Sequence, residues 1–317
     1  MGDMSLTAVG RRVSSLIAAL FASACCTSLP RIADKQSQEP PRQLATHEAT
    51  TTSVVWRDAR RGRDVPVKIY APVRQAPSPV VLFSHGIGED RDSYEYVGNA
   101  LSASGFLAVH MTHAGTDRAV LERGYRHLYR AVKQKENWID RVLDVTFVLD
   151  QLRGDPRADL ERVAVAGHSA GAFTAFAAAG LRTADGATLR DPRVKVIIPI
   201  SMPRLEGVVP RGGYDDIRIP ALNLTGTCDA SLIYRTLPRH RRLPFEHTAA
   251  TGHYLITIEG VNHDTFSNAS DRNHPLIASL MTHFLRAFLL GEEEARAWFD
   301  EAGRAVVNGT ALTIERK

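Results

Sequence analysis

The chain has 317 residues, 44% of them hydrophobic and 23% charged, with a net charge of +4. That is enough apolar material for one large α/β domain or two small ones, and it excludes a globally disordered chain. The positive bias is mild and no stretch resembles a recognition module, which argues against a nucleic-acid partner.

At the N-terminus, Arg11-Arg12 precede Val13 to Ala24, an apolar run too short to cross a bilayer as a permanent helix. Residues 1–24 therefore read as an export signal. Its end, Ala22-Ser23-Ala24-Cys25, reads two ways: an A-x-A site cut before Cys25, or a stretch that resembles a bacterial lipobox with Cys25 lipidated. The first predicts a periplasmic or secreted protein, the second a membrane-anchored lipoprotein. Of the three cysteines, Cys25 and Cys26 fall at this signal and only Cys228 lies in the body of the chain. No disulfide is expected inside the folded domain. Residues 25–50 are polar, proline-bearing and aperiodic, the composition of a linker. Residues 51–317 remain for one catalytic domain.

Ser53–Asp58 and Val65–Tyr70 alternate around Arg60-Arg61-Gly62-Arg63, a hairpin signal. Val80–Phe83 is a continuous apolar run, the mark of a strand buried on both faces. A helix is predicted from Asp92 to Ser104, stopped by Gly105, and a strand over Phe106–Met111. Residues 115–135 form a long basic excursion with helical character. Trp138, Val142, Val145, Leu149 and Leu152 then recur at the spacing of an amphipathic helix. Strands follow at Val163–Ala166, Val194–Ile200, Ala221–Thr225 and Tyr254–Glu259, the last of the series, with Pro275 to Leu290 as the closing helix. Alternating strands and helices predict a mostly parallel sheet with helices on both faces, its site at the carboxyl ends of the strands. The short connection from Ser201 to Pro220 leaves no room for a large cap domain.

The chemistry concentrates at Gly167-His168-Ser169-Ala170-Gly171, set between an apolar strand and an alanine-rich helix. Strand, G-x-S-x-G, helix is the pattern of a nucleophile elbow, in which a sharp turn exposes the serine hydroxyl. The glycines leave room where side chains would collide with the flanking strand and helix. A serine nucleophile needs a base, a group to orient that base, and donors for the developing oxyanion. In this architecture the acid and the histidine follow the serine, each on a loop after a strand. Asp229 closes Leu224-Thr225-Gly226-Thr227-Cys228-Asp229 after one strand, and His263 lies in Gly260-Val261-Asn262-His263-Asp264 after the last. Asp264 adjoins His263 too closely to reach its ring, and Glu206 and Asp215–Asp216 are the other rivals. Backbone N–H groups of Ala170 and of Ile87, in Ser84-His85-Gly86-Ile87-Gly88, are the expected oxyanion donors. His85, Gly86, His113 and His168 are expected to line the pocket, with His168 packed and hydrogen-bonded beneath the elbow. His240 and His247 read as solvated. Arg235, Arg239, Arg241 and Arg242 read as a solvated face in preference to a rim for anionic or phospholipid substrates.

Val80–Asp117, the GHSAG elbow, LTGTCD and the GVNHDTFSN tail together resemble the α/β-hydrolase superfamily. More narrowly, the chain is similar to dienelactone-hydrolase-like and platelet-activating-factor-acetylhydrolase-like esterases, a branch that includes chlorophyllase-like enzymes. The likeness runs from about Thr51 to Leu290. It implies an α/β-hydrolase fold, a Ser169–Asp229–His263 triad with Ile87 and Ala170 as oxyanion donors, and no cofactor. Ser169 stands where dienelactone hydrolases carry a cysteine, and Ala172 where many relatives carry a second glycine. No metal-ligand spacing appears. The chain thus reads as a serine carboxylic-ester hydrolase acting on a small-molecule or lipid ester. A catalytically silent, surface-tethered binding protein and a serine peptidase or amidase on the same scaffold are the competing readings.

Overall fold

The computed structural model describes residues 26–29, 47–74, 76–267, 270–301, 303–307 and 309–317. Residues 1–24 and Cys25, read above as an export signal and a lipidation candidate, lie outside them, as does most of the expected linker.

The chain opens with an antiparallel hairpin, β1 (Ala49–Asp58) and β2 (Arg63–Pro72). Asp58 caps its turn by accepting from the N–H groups of Arg60 and Arg61 at 3.0 and 3.3 Å. Six parallel strands follow: β3 (Ser78–Ser84), β4 (Leu107–Met111), β5 (Ala158–His168), β6 (Val194–Ile200), β7 (Ala221–Cys228) and β8 (His253–Asn262). Their apolar runs are explained by burial on both faces. In β3, Val81 and Phe83 enter one core and Val80 and Leu82 the other. The first core is covered by helices α1 (Glu95–Ala103), α7 (His274–Phe288) and α8 (Glu293–Asp300). The second is covered by α4 (Lys135–Gln151) and α5 (Ala170–Ala179). The basic excursion forms two short helices, α2 (Arg118–Glu122) and α3 (Tyr125–Lys133), and α6 (Leu243–His247) precedes β8.

The ten strands lie in the order β1-β2-β4-β3-β5-β6-β7-β8-β10-β9. This is the predicted α/β class, with only a 3₁₀ turn, Arg211–Tyr214, between Ser201 and Pro220. From β3 the chain steps outward to β4 and then returns to the other side of β3 as β5. The loops after β3 and β5 therefore diverge at a topological switch point, the crevice where such sheets bind ligands.

Two expectations are corrected. Tyr254–Glu259 is not in the last strand, nor is Pro275 to Leu290 in the closing helix. After α7 come α8 and an antiparallel pair, β9 (Gly303–Val307) and β10 (Thr310–Arg316), with β10 paired to β8. A two-residue connection bearing Asn308-Gly309 in the sequence joins them, the composition favoured in tight hairpins. Second, Cys228 is not left unpaired: a disulfide ties it to Cys26, read above as part of the signal and linker region, across a sequence separation of 202. Thr27 donates its N–H to the Thr227 carbonyl at 2.8 Å. Residues 27–29 thus lie against the fold, sharing a cleft of about 280 Å³ with Pro238, Arg239 and Arg242.

Candidate active site

Strand β5 ends at His168 and α5 begins at Ala170, leaving Ser169 alone in the turn. Its backbone sits at φ 54°, ψ −114°, a conformation that side-chain-bearing residues rarely adopt. The turn is that tight because a Cβ on Gly167 would lie 2.4 Å from the Gly171 carbonyl oxygen. Ser169 is 4% exposed.

His263, just past β8, points Nε2 at Ser169 Oγ, 3.2 Å away. Its Nδ1 lies 2.9 Å from Asp229 Oδ1. Asp229 follows β7 and is fully buried. Its Oδ2 accepts from Thr225 Oγ1 at 2.8 Å and, through a short contact, from the Ser201 hydroxyl. Burial pushes this carboxyl up, but the guanidinium of Arg241, the His263 ring and the Ser201 bond outweigh it and hold the group below its ordinary range. The carboxylate is therefore ionised and accepts the Nδ1–H of His263. That leaves the Nε2 lone pair facing Ser169.

Across the crevice, the loop after β3 spends its N–H groups unevenly. Gly86 donates to Glu89 Oε2 at 2.8 Å and Gly88 to the Thr116 carbonyl at 2.8 Å. Ser169 donates its own N–H to Ile200. Ile87 and Ala170 N–H have no hydrogen-bond partner among the described residues. They remain available for an incoming oxyanion.

The histidines expected at the pocket wall sit deeper than that. His113 is fully buried, with Nε2 2.9 Å from Ser84 Oγ and Nδ1 2.9 Å from Asp144. His85 is also buried; its Nε2 accepts the His113 N–H at 3.0 Å and its Nδ1 donates to the Gly86 carbonyl. Both brace the loop after β3 from inside, and Gly86 is likewise buried. Burial and the neighbouring Arg141 hold both rings neutral, well below the usual histidine range. His168 lies beneath the elbow, Nδ1 2.7 Å from the Tyr94 hydroxyl, its ring centroid 4.5 Å from that of His263.

Two arginines complete the site. Arg141, on the buried face of α4, donates to Ser84 Oγ at 3.1 Å, Thr116 Oγ1 at 2.7 Å and, through a short contact, to the His85 carbonyl. Arg241 was expected on a solvated face and is instead sealed within the protein, 3.0 Å from both Asp229 Oδ1 and His263 Nδ1. Of its neighbours, Arg235 and Arg239 are exposed, while Arg242 pairs with Glu315 at 2.6 Å. His240 and His247 are half-buried, a correction to their solvated reading; His240 Nδ1 accepts the Leu237 N–H. Arg141 had a signal: a charged residue inside the apolar stripe of α4, between Trp138 and Val142. Nothing local distinguishes Arg241 from the arginines beside it.

Residues 43–201 match the family model of Chlorophyllase. The matched span takes in the loop after β3 and the elbow and stops before Asp229 and His263. No curated protein matches the chain.

Proposed function

We propose that this chain, which belongs to the chlorophyllase family and so to the α/β-hydrolase superfamily, is a serine carboxylic-ester hydrolase that works through an acyl-enzyme. The family points to a hydrolase acting on esters. One observation carries the finer reading: the unbroken path from Asp229 Oδ1 through His263 to Ser169 Oγ, in steps of 2.9 and 3.2 Å.

In the proposed reaction His263 Nε2 takes the Ser169 proton as Oγ attacks the acyl carbon. The carbonyl oxygen gathers negative charge against the N–H groups of Ile87 and Ala170, each such donor being worth about 10²–10³ in turnover. The tetrahedral intermediate collapses, and His263 returns the proton to the leaving alkoxide. Water, activated by the same imidazole, then cleaves the acyl-enzyme. Asp229 stays ionised throughout, fixing the ring's tautomer and stabilising the imidazolium.

Short-chain nitrophenyl esters test this. The wild type should hydrolyse them, and Ser169→Ala or His263→Ala should lose about 10⁴-fold or more in kcat. Equal rates in wild type and Ser169→Ala would sink the triad, and turnover of amides alone would favour a peptidase.

We further propose that residues 1–24 direct export, with Cys25 as the mature N-terminus, lipidated or free. The Cys26–Cys228 disulfide supports this, since such bonds persist in oxidising compartments. Mass spectrometry of the mature N-terminus decides it: an unprocessed chain overturns the proposal.

A further inference from the structure

Arg241 makes directed contacts with two residues of the proposed triad and with the loop beside them. Its Nη1 donates to the carbonyls of Ser201 at 2.7 Å and Met202 at 3.0 Å, and its Nε to the carbonyl of Asp229 at 3.2 Å. One guanidinium thus ties the loop after β6 to the loop after β7. Its Nη2 reaches the carboxylate oxygen that also receives His263. Side chains of Arg241 and Asp229 are both fully shielded from water, so their mutual field is weakly screened.

We propose that Arg241 is a positioning residue that holds Asp229 Oδ1 against the Nδ1 side of His263, so that the ring keeps Nε2 turned to Ser169; this rests on the triad reading above. The acid is one half of a buried ion pair, and the other donors of the guanidinium fix that pair to the carbonyls of Ser201, Met202 and Asp229. The arginine cannot select the tautomer by itself, because Nη2 could equally donate to a bare Nδ1. Asp229 makes that selection: a bare Nδ1 would face a carboxylate oxygen at 2.9 Å, lone pair against lone pair. The arginine contributes geometry and charge, the aspartate the choice of tautomer. Other groups facing the ring are Ser169, the neutral His168 ring, the half-buried carboxyl of Glu89 and the exposed Asp264 on its own loop. Among the described residues, Arg241 is the one cation within hydrogen-bond distance of the ring, beside the Asp229 carboxylate.

The test is the NMR signal of the His263 Nδ1–H in the full chain, assigned by its loss in His263→Ala, read beside kinetics on a nitrophenyl ester. Arg241→Gln should displace or broaden that signal and lower kcat about 10²-fold, the size expected when a reacting group is misplaced, with KM within about threefold. Arg241→Lys, which keeps the charge, should restore part of both. A melting point that falls while the Nδ1–H signal and kcat stay in place would make Arg241 a structural brace and overturn the proposal. Should Arg241→Gln not fold, Arg241→Lys is compared with wild type: a displaced signal and a partial loss of kcat are expected, and the absence of both is equally fatal. The Nδ1–H signal needs no turnover, so an inactive wild type would defeat the esterase reading and leave this one to be judged by the ring alone.

Discussion

A Cβ placed on Gly171 would lie 1.8 Å from the carbonyl oxygen of Ser84. The first turn of the elbow helix is thus pressed directly on the end of β3, backbone against backbone. Neither side can yield as a flexible side chain would. Gly171→Ala should cost about 3 kcal/mol or more, at the upper end of overpacking penalties. In a domain this size that lowers the melting point by roughly 6–12 °C. In the proposed reaction it would also part Ser169 from the loop after β3, and kcat/KM should fall about 10²-fold. Ala172→Gly, one residue on, removes a methyl and should cost only about 1 kcal/mol. Equal melting points for the two variants, measured by scanning fluorimetry, would refute the contact.

Tyr94 links the two halves of the site through its hydroxyl. That group donates to Glu89 in a short contact and lies 2.7 Å from His168 Nδ1. His168 Nε2 already has no partner among the described residues. Tyr94→Phe would therefore leave the ring with neither nitrogen satisfied in a buried place, at a cost of about 1–3 kcal/mol. Because the His168 ring packs on His263, kcat should fall several-fold with KM little changed. Thermal melts and steady-state kinetics check both, and an unaltered melting point removes Tyr94 from the argument.

The parts of this protein that were legible from sequence are those whose signal is local or ordered along the chain. Val80–Phe83 and Val194–Ile200 announce themselves because strands buried on both faces must be apolar throughout. Ser169 is marked by the steric needs of its turn, and Asp229 and His263 by their places after successive strands; the structure brings the three side chains together. The role of Arg241 depends on partners 12, 22 and 40 residues away. Its chain neighbours Arg239 and Arg242 have the same chemistry and different surroundings, so composition cannot separate them. The histidines 85 and 113 illustrate the same limit: polar residues beside a site read as pocket walls, whereas Arg141 and Asp144 supply a buried network that draws them inward. The β9–β10 hairpin carries a local signal in Asn308-Gly309, but it lies beyond the point where strand–helix alternation ends.

Acid should unfold this protein steeply. His85, His110, His113, His168 and His253 are all buried. Burial, the largest cause in each, holds His110 down at about 3 and His253 at about 4, and the other three well below the ordinary value. Their folded-state values lie below the unfolded value near 6.5, so the unfolded chain binds protons that the folded one refuses. The stability they lend is complete above about pH 6.5 and is lost as pH falls below it. Each histidine removes about 1.4 kcal/mol per pH unit, and five together roughly 7. Asp229, depressed in the fold, adds its own loss only below about pH 4, where unfolded aspartates begin to protonate. Circular dichroism against pH should show cooperative unfolding between about pH 6 and 4. A flat signal through pH 4 would mean that these rings can be protonated in place.

The Cys26–Cys228 bond ends one residue before Asp229, which makes it a test of whether the acid is held by covalent or by polar contacts. Closing a loop of this length restricts the unfolded chain by about 3–5 kcal/mol in the chain-entropy account. Cys228→Ser, or reduction with dithiothreitol, should therefore lower the melting point by roughly 10 °C. The Thr27–Thr227 bond would weaken with it, since residues 26–29 lose their attachment to the end of β7. Asp229 itself is gripped independently: by Thr225 and Ser201 at Oδ2, and by His263 and Arg241 at Oδ1. Activity below the lowered melting point should therefore stay within about threefold of the oxidised protein's, while stability falls. If kcat instead collapses on reduction at a temperature where circular dichroism shows the fold intact, the disulfide is what places the acid, and the polar contacts alone are too weak to hold it.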